Sequence, residues 1–302
     1  MIFKILGFAV VILLLLCIGI SIGLVRFVTM PKRTTMEENI LWQKEHGVWG
    51  DYERYDKEEL NVKSYDGYLL HGVLLKNPGK KFVIVTHGYT DNRYGCVKYA
   101  HIYYRLGYNV YIYDLRHFGE NKKVYCSMGY KEPRDILAIT EFLYEKYGKD
   151  ILIGLQGESL GCASSVLALG QRKDYAFCVA DCGFSDLKEL LVYQAKKMLH
   201  LPPVFAAMAN VMCKIMHGYF FFDVRPIDTF LTNETPVLFM HGGDDDYVPT
   251  HMSRDMYKAC SSPKEIHIFE GAAHARSYIS APEQYEAIVT EFLKKNHIER
   301  SL

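Results

Sequence analysis

The sequence has no excess of charge of either sign. Lys and Arg together number 35, Asp and Glu together number 35, and the formal net charge of the 302 residues is +0 with His neutral. Such a chain has no basic field to attract the phosphates of a nucleic acid, and no long run of one charge indicates a binding tail. We therefore expect no nucleic-acid partner.

Metal and redox motifs are also missing. None of the eight cysteines stands in a C-x-x-C pair, the spacing that indicates a zinc or redox site. One of them, Cys17, lies in an apolar run, and the others are scattered through the chain. Such cysteines are typical of buried thiols in a reducing compartment. We expect no metal and no other cofactor.

Charged residues are absent from Ile5–Val25, a run of 21 residues rich in Leu and Ile. About 20 apolar residues cross the ~30 Å hydrocarbon core of a bilayer, whereas the apolar run of a cleaved signal peptide has about 7–15. Ser21 and Gly23 would make a poor cleavage site. The sequence favours a retained single-pass anchor in the cell membrane over residues 1–29, with a cleaved signal peptide as the alternative.

The charges that flank this run bear on its orientation. Lys4 precedes the run, and Arg26, Lys32 and Arg33 follow it. Because positive flanks tend to stay in the cytoplasm, the charges favour a cytoplasmic C-terminal domain. The unpaired cysteines favour the same side, and an outward-facing domain stays open.

A connector between the anchor and the domain is predicted over residues 30–59. Within it, Thr35–Glu38 matches a capping box, which predicts a short helix through Gln43. Trp42 and Trp49 are the two tryptophans of the chain. They either reach the lipid headgroups or pack on the domain.

Short apolar runs alternate with amphipathic stretches over residues 60–302. Two predicted strands come first, Leu60–Lys63 and Tyr68–Leu75, which flank Asp66–Gly67, because Asp-Gly favours a tight hairpin turn. The later runs suit strands of a parallel sheet buried on both faces, and they are Phe82–Thr86, Val110–Tyr113, Ile151–Leu155, Phe177–Ala180, Val237–Met240 and Ile266–Phe269. Helical patterns lie between them at Val97–Leu106, Asp135–Tyr147, Leu160–Leu169, Met252–Cys260 and Gln284–Lys295. The alternation predicts the α/β class, with a mostly parallel sheet flanked by helices.

One stretch, residues 186–232, breaks this alternation and contains no clear strand. Leu201–Cys213 carries no charge, and Tyr219–Phe222 is entirely aromatic. A single crossover helix needs far fewer residues, so we expect a helical lid inserted into the domain. A long crossover packed into the core is the alternative.

The strongest signal is Gly157-Glu158-Ser159-Leu160-Gly161, which follows one apolar run and precedes small, helix-favouring residues. G-x-S-x-G between a strand and a helix is the nucleophile elbow. Ser159 would sit on a strained turn that exposes its hydroxyl, and the two glycines would let strand and helix approach closely. The start of the helix would also favour negative charge nearby. Ser159 is the predicted nucleophile.

An acid and a base follow in the chain order that this arrangement requires. Asp245 comes after Val237–Met240, and His274 comes after Ile266–Phe269. Both lie at carboxyl ends of predicted strands, where α/β sheets place their ligands. His274 would accept the proton of Ser159, and Asp245 would orient the imidazole. The alternative acids are Asp244, Asp246 and, more weakly, Asp181.

An oxyanion hole is predicted from the segment His87–Thr90, which follows the run Phe82–Thr86. The backbone N–H groups of Tyr89 and Leu160 are expected to point at the developing oxyanion, although His87–Thr90 could be only a tight turn. Six other histidines are expected on the surface, in packing or in turns, and they are His71, His87, His217, His241, His251 and His267.

Together these motifs resemble the α/β-hydrolase superfamily over about Leu60–Lys295. They are similar in particular to its serine aminopeptidase and lysophospholipase-like group, to bacterial hydrolases with an N-terminal anchor, and to small cinnamoyl-esterase-type enzymes. The HGxxDxxVP pattern of the group falls on His241–Pro249 and implies Asp245 as the acid. Arg116–Asn121 departs from the usual Arg-Gly-His-Gly-x-Ser and touches no predicted catalytic residue. The segments that carry the resemblance are His87–Asn92, Tyr113–Arg116, Gly157–Gly161, His241–Pro249 and His274.

The expected function is that of a serine hydrolase that cleaves a carboxylic ester through an acyl-enzyme on Ser159. The apolar lid and the anchor suggest a hydrophobic acyl group in a small-molecule or lipid-like ester, with a thioester as the close variant. The main alternative, which the resemblance permits, is a serine peptidase for short peptides. It requires an acidic or polar rim for the peptide amine, to which Glu158 could contribute. A non-catalytic scaffold and acyl transfer to an acceptor other than water also stay open.

Overall fold

The computed structural model describes residues 2–298. Its strands are β1 Lys57–Glu59, β2 Val62–Lys63, β3 Leu69–Leu70, β4 Gly72–Leu75, β5 Lys81–Thr86, β6 Asn109–Tyr113, β7 Leu152–Glu158, β8 Cys178–Asp181, β9 Val237–Gly242 and β10 Lys264–Phe269. Eight of them form one sheet in the order β1-β4-β6-β5-β7-β8-β9-β10, while β2 and β3 form a small hairpin. The sheet is parallel from β6 to β10, and β1 and β4 run antiparallel at one edge. The α/β class with a mostly parallel sheet is confirmed.

Helices follow most of the strands. They are α1 Ile2–Thr29, α2 Met36–Glu45, α3 Val97–Arg105, α4 Glu132–Tyr147, α5 Leu160–Leu169, α6 Leu187–Leu199, α7 Pro203–His217, α8 His251–Ala259, α9 Ser277–Ser280 and α10 Pro282–Lys295. Short 3₁₀ helices cover Gly50–Arg54, Arg93–Cys96, Phe221–Asp223 and Pro226–Leu231. Each central helix predicted from the sequence is present, with ends shifted by three residues at most.

The sheet is buried on both faces, as its continuous apolar strands require. In β5, Phe82 and Ile84 face a core that includes α4 and α5. Val83 and Val85 face a second core that includes α3 and α10. This alternation follows from the two-residue period of a strand. It leaves the carboxyl ends of the strands free to carry a site.

The first strands differ from the prediction. β1 lies in the segment expected to be a connector, and its sequence Lys57–Glu59 is charged throughout. Charged residues are common on an edge strand, so no apolar alternation marked it. The predicted strand Tyr68–Leu75 is divided at His71, because its first half pairs in the small hairpin and its second half joins the main sheet.

The N-terminal helix is a candidate transmembrane span. Phe3–Thr29 has a mean hydropathy of 3.1, and it is the one single helix within residues 2–298 that is long and apolar enough to cross a membrane. The last turns of α1 pack against α7, and Val25 and Thr29 are fully buried there. The carboxyl end of α1 is therefore docked on the domain.

The insertion over residues 186–232 is helical, as the sequence predicted. It consists of α6, α7 and the two following 3₁₀ helices, without a strand. Asp186 caps α6 by accepting from the N–H groups of Lys188 and Glu189, which satisfies donors that a helix start leaves without partners. The insertion lies against α1, so the predicted lid and the candidate transmembrane helix pack together.

The segment after the anchor packs closely on the domain. The predicted capping box is present at the start of α2, where Thr35 and Glu38 each accept a backbone N–H of the other. Arg33 Nη1 donates to the carbonyl oxygens of His117 at 2.7 Å and of Asn121 at 3.0 Å. Trp49 is buried in the second core. The division of the chain into residues 1–29, 30–59 and 60–302 stays a prediction.

Candidate active site

Ser159 occupies the sharp turn between β7 and α5. Its φ is 54° and its ψ is −114°, a backbone conformation that non-glycine residues rarely adopt. Glycines on both sides permit the turn. A Cβ on Gly157 would lie 2.4 Å from the carbonyl oxygen of Gly161, and a Cβ on Gly161 would lie 2.2 Å from that of Thr86. The serine is therefore held in a strained position at the carboxyl end of an inner strand.

His274 stands between Ser159 and Asp245. Its Nε2 lies 2.9 Å from Ser159 Oγ, and its Nδ1 lies 2.7 Å from Asp245 Oδ2. Both distances are those of hydrogen bonds. With the proton on Nδ1, the ring donates to the carboxylate and offers Nε2 as acceptor to the hydroxyl, as a general base requires. The fold thus brings together three predicted site residues from distant parts of the chain.

The other candidate acids lie elsewhere. Asp244 and Asp246 have exposed side chains, and Asp246 forms an ion pair with Lys197 at 2.7 Å. Asp181 is buried and accepts from Tyr285 at 2.9 Å. None of the three forms a hydrogen bond or ion pair with His274 in the part of the chain that the structure describes. Asp245 is the carboxylate that forms the hydrogen bond with His274.

Four donors surround the buried carboxylate of Asp245. The backbone N–H groups of Tyr247 and Val248 donate to Oδ1 at 3.0 and 2.9 Å. His241 Nε2 and His274 Nδ1 face Oδ2 at 3.0 and 2.7 Å. Burial alone would raise the pKa of Asp245, but the hydrogen bonds from the two histidines outweigh it and hold this pKa well below its usual value. The carboxylate is therefore ionised at neutral pH.

His241 has a role that sequence reasoning missed. Its Nδ1 lies 2.6 Å from Ser253 Oγ, and its Nε2 faces both Asp245 and the carbonyl oxygen of Val248 at 2.9 Å. A carbonyl can only accept, so Nε2 carries the proton and Nδ1 accepts from the serine. The residue had been expected in packing or a turn. Its place four residues before Asp245, at the end of β9, was the signal that could have identified it.

The segment His87–Thr90 lies beside the serine. Burial lowers the pKa of His87, so its ring is neutral. Its Nε2 accepts from the N–H of Leu115 at 2.9 Å, and its Nδ1 faces the carbonyl oxygen of Gly88 at 2.7 Å. A Cβ on Gly88 would lie 3.5 Å from Ser159 Cβ. The proposed oxyanion donors are the N–H of Tyr89 on this segment and that of Leu160 at the start of α5.

A buried ion pair lies behind the serine. Lys98 Nζ is 2.5 Å from Glu158 Oε2, and the Tyr99 hydroxyl is 2.6 Å from Glu158 and 2.9 Å from Asp181. Burial would raise the pKa of Glu158, but Lys98 outweighs it and lowers this pKa. Burial and the charge of Glu158 raise the pKa of Asp181 to about 6. Contrary to expectation, Glu158 is engaged inside the protein and contributes no exposed acidic rim.

An apolar groove runs between the anchor helix and the lid. Its walls include Leu24, Phe27 and Val28 of α1, and Leu191, Met198 and Ala206 of the lid. The groove adjoins the serine pocket through two tyrosines. Tyr89 donates to the carbonyl oxygen of Val28 at 2.8 Å, and Tyr247 accepts at its carbonyl oxygen from Gln194 of the groove. Both tyrosines also line the pocket around Ser159.

One group of possible metal ligands lies at the same place. Cys182, Asp245 and His274 offer ligand atoms within 4.8 Å of one another. Both ring nitrogens of His274 are already used by Asp245 and Ser159, so the cluster fits a hydrogen-bonded chain better than a metal site. The cysteines are all free thiols, and all but Cys17 are buried.

A mostly parallel sheet with a serine on a strained strand-to-helix turn, followed in the chain by an acid and a histidine, defines the α/β-hydrolase superfamily. Residues 101–298 match the model of the prolyl oligopeptidase family. The chain belongs to this family and is a serine hydrolase. The superfamily that the sequence motifs indicated is confirmed.

Similar proteins come from bacteria and from yeast. The protein YqkD of Bacillus subtilis is 32% identical over 282 residues, which cover 91% of this chain and 92% of YqkD. The membrane protein YNL320W of Saccharomyces cerevisiae is 25% identical over 194 residues, 64% of this chain and 63% of its own.

Solved structures share the fold at low sequence identity. The esterase Pf2001 of Pyrococcus furiosus has a TM-score of 0.69 at 23% identity, with 82% of this chain and 94% of the esterase covered. The acylaminoacyl peptidase of Pyrococcus horikoshii has a TM-score of 0.61 at 19% identity, with 81% of this chain and 43% of the peptidase covered. At these identities the likeness concerns the fold.

Proposed function

We propose that the protein hydrolyses carboxylic esters with a hydrophobic acyl group, with Ser159, His274 and Asp245 as its catalytic triad. The observation that carries this proposal is the hydrogen-bonded chain from Asp245 through His274 to Ser159, next to an apolar groove. The acyl chain of the substrate lies in that groove. A thioester fits the same arrangement.

The geometry supports a two-step reaction. His274 Nε2 takes the proton of Ser159 as Oγ attacks the ester carbonyl, and Asp245 stabilises the imidazolium. The N–H groups of Tyr89 and Leu160 donate to the oxyanion, each contributing about 2.7–4 kcal/mol to the transition state. The proton then passes to the leaving alcohol. Water, activated by His274, releases the acid and restores Ser159.

A peptidase is the second candidate, supported by the family description and by the fold shared with an acylaminoacyl peptidase. An aminopeptidase requires an exposed carboxylate for the ammonium group of its substrate. Glu158, the acid next to the nucleophile, is ion-paired with buried Lys98. The cleft beside His274 is lined by the cations Lys32, Arg33 and Arg276, which repel an ammonium group. These contacts favour an ester over a peptide with a free amino terminus.

The N-terminal helix acts, in our proposal, as a retained single-pass anchor with the catalytic domain on the cytoplasmic side. The lid surface supports an anchored enzyme, because its exposed apolar side chains adjoin the docked end of α1. They are Met198, Leu199, Val204, Val211, Ile215 and Met216. Protease digestion of intact and opened cells, read with an antibody to the C-terminus, tests the side. Digestion in intact cells would contradict a cytoplasmic domain.

The central experiment uses the full chain in detergent micelles. Nitrophenyl esters from acetate to palmitate are compared with aminoacyl nitroanilides, using Ser159→Ala and the exposed control Ser261→Ala. We expect ester turnover in the wild type and in Ser261→Ala, and none in Ser159→Ala. Turnover of the anilides alone would establish a peptidase. If neither class reacts and a fluorophosphonate fails to label Ser159, the proposal is wrong.

A further inference from the structure

A polar cleft of about 570 Å³ opens beside the proposed triad. It shares His274 with the pocket around Ser159. One wall is formed by the connector and α2, and the opposite wall by the segment that follows His274. Because His274 delivers a proton to the leaving alcohol in ester hydrolysis, the leaving group has to lie within reach of the ring that borders this cleft. The cleft is therefore placed to receive the alcohol part of the substrate.

Four cations, Lys32, Arg33, Lys98 and Arg276, line the cleft together with three carboxylates, and two of the cations are fixed in position. Arg33 Nη1 is held by the carbonyl oxygens of His117 and Asn121, and the Arg276 guanidinium lies 4.7 Å from the centre of the Trp42 ring. Cation–π contacts of this kind orient a guanidinium without neutralising it. Within residues 2–298, Lys32, Arg33 and Arg276 form no ion pair. Their charges remain available to a ligand.

The acidic groups of the cleft are engaged by the protein itself. Glu38 Oε2 accepts a backbone N–H at the start of α2 at 2.8 Å. Glu158 is paired with Lys98 at 2.5 Å, and Asp91 accepts from the side-chain amide of Asn39. Four cations stand against these three carboxylates in the lining, so the cleft carries a surplus of positive charge, although the chain as a whole is neutral.

We propose that this cleft is the leaving-group subsite and that it selects esters whose alcohol part carries a phosphate or a carboxylate. The proposal rests on the proposed esterase function and narrows its substrate to an anionic amphiphile, with the acyl chain in the apolar groove. Guanidinium groups bind such anions through two parallel hydrogen bonds. The bond from Ser159 Oγ to the acyl carbon forms, the ester C–O bond breaks, and the alcohol leaves with the proton from His274.

The same anionic chemistry has a second source in the membrane. Lys32 and Arg33 follow α1 in sequence, and a phospholipid of a surrounding bilayer would present a phosphate without being a substrate. A substrate subsite changes the preference between substrates. A lipid contact changes only the binding of the protein to anionic membranes.

The test compares two octanoyl esters on the full chain in uncharged detergent micelles. One releases 4-nitrophenol and the other 3-carboxy-4-nitrophenol, which carries the additional negative charge. The variants are Arg276→Gln, Lys32→Gln and Arg276→Lys. Lys149→Gln is the matched control, because Lys149 is exposed and lies just before β7, at the end of the strand opposite to Ser159.

We expect the wild type to favour the carboxylate ester by about tenfold or more in kcat/KM, the change that one charged hydrogen bond brings. Arg276→Gln and Lys32→Gln should reduce this ratio, Arg276→Lys should keep part of it, and Lys149→Gln should leave it unchanged. Added salt at about 0.5 M should weaken the preference, because it screens exposed charges.

A wild-type ratio near one would overturn the proposal, as would an unchanged ratio in Arg276→Gln. The same holds if the two Gln variants lose only their binding to phosphatidylglycerol vesicles, since the cations would then contact the bilayer. If neither ester reacts, or if turnover survives in Ser159→Ala, the proposed esterase function is wrong, and the proposed subsite is then wrong as well. That result differs from a lost preference, in which both esters are still cleaved.

Discussion

The phenol of Tyr89 donates a hydrogen bond to the backbone carbonyl oxygen of Val28 at 2.8 Å. The last carbonyl groups of a helix lack partners within the helix, and here the domain supplies them. Tyr89 donates to the carbonyl oxygen of Val28, and the N–H of Cys126 donates to the carbonyl oxygen of Thr29 at 2.8 Å. The proposed oxyanion segment and the end of the candidate transmembrane helix α1 are therefore joined directly.

Tyr89→Phe separates the two roles of this residue. The backbone N–H proposed for the oxyanion is retained, while the contact with α1 is lost. We expect a loss of about 0.5–1.5 kcal/mol in the free energy of unfolding, as for a typical hydrogen bond, and a higher KM for long-chain esters, because the groove wall loosens. Ester assays and thermal unfolding in micelles measure both. A loss of kcat as large as that of Ser159→Ala would instead place the phenol in the chemistry.

The choice of Asp245 as the acid predicts unequal effects within the run Asp244–Asp246. Asp245→Asn should reduce kcat by about 10⁴-fold, because an amide favours the wrong histidine tautomer. Asp244→Asn and Asp246→Asn change exposed side chains and should stay within about threefold of the wild type. Kinetics with nitrophenyl butyrate compare the three. If Asp244→Asn is the most damaging, Asp245 is not the acid.

His241 is expected to act as a positioning residue through Asp245. His241→Leu removes one donor from the carboxylate, at a cost of about 1.5–3 kcal/mol for a hydrogen bond to a charged group. A carboxylate with one donor fewer is more basic and holds the imidazolium of His274 more strongly. The acid limb of the pH profile of kcat/KM should therefore move to higher pH. His241→Gln, which can restore a donor, should recover part of the activity, whereas an unchanged profile in His241→Leu would exclude this role.

Local signals account for the part of the structure that could be predicted. The run Ile151–Leu155 marked β7, and the pattern at Leu160–Leu169 matched α5 from end to end. The elbow between them needs only small residues at fixed positions. The capping box at Thr35–Glu38 is equally local.

Contacts between distant residues account for what could not be predicted. Nothing near Glu158 in the sequence indicates its pairing with Lys98, and nothing near Trp42 indicates Arg276 above its ring. These pairs decide whether a charge is available to a substrate. For this reason the sequence could name Glu158 as a possible contributor to an acidic rim for a peptide, while the structure shows it buried and paired with Lys98.

The pair of Lys98 and Glu158 predicts a pH-dependent loss of stability. Lys98→Met leaves a buried carboxylate without its partner, which costs about 3–5 kcal/mol. In the wild type the ion pair lowers the pKa of Glu158, whereas in the variant burial raises it. A group with a raised pKa stabilises the folded state below that pKa and loses this contribution as the pH rises through it. The variant should therefore be closest to the wild type in acid and furthest from it above neutral pH.

Thermal unfolding in micelles at about pH 5 and about pH 8 tests this dependence. Lys149→Met is the control, since it removes an exposed cation without an ion pair in the described structure. It should lower the melting temperature little at either pH. If Lys98→Met lowers the melting temperature equally at both pH values, the Lys98 side chain contributes packing rather than charge.

The apolar groove predicts a dependence on acyl-chain length. Ala206 lies in the groove wall, and Ala206→Trp fills the space between lid and anchor. Each buried methylene contributes about 0.8 kcal/mol. An acyl chain with two methylenes fewer buried in the groove therefore binds about tenfold more weakly. The ratio of kcat/KM for palmitate over acetate should fall accordingly, and the optimum should move to shorter esters. Val211→Trp, on the exposed side of the same helix, should keep the wild-type profile. If Ala206→Trp also keeps that profile, the acyl chain lies outside the groove and α1 forms no part of the substrate site.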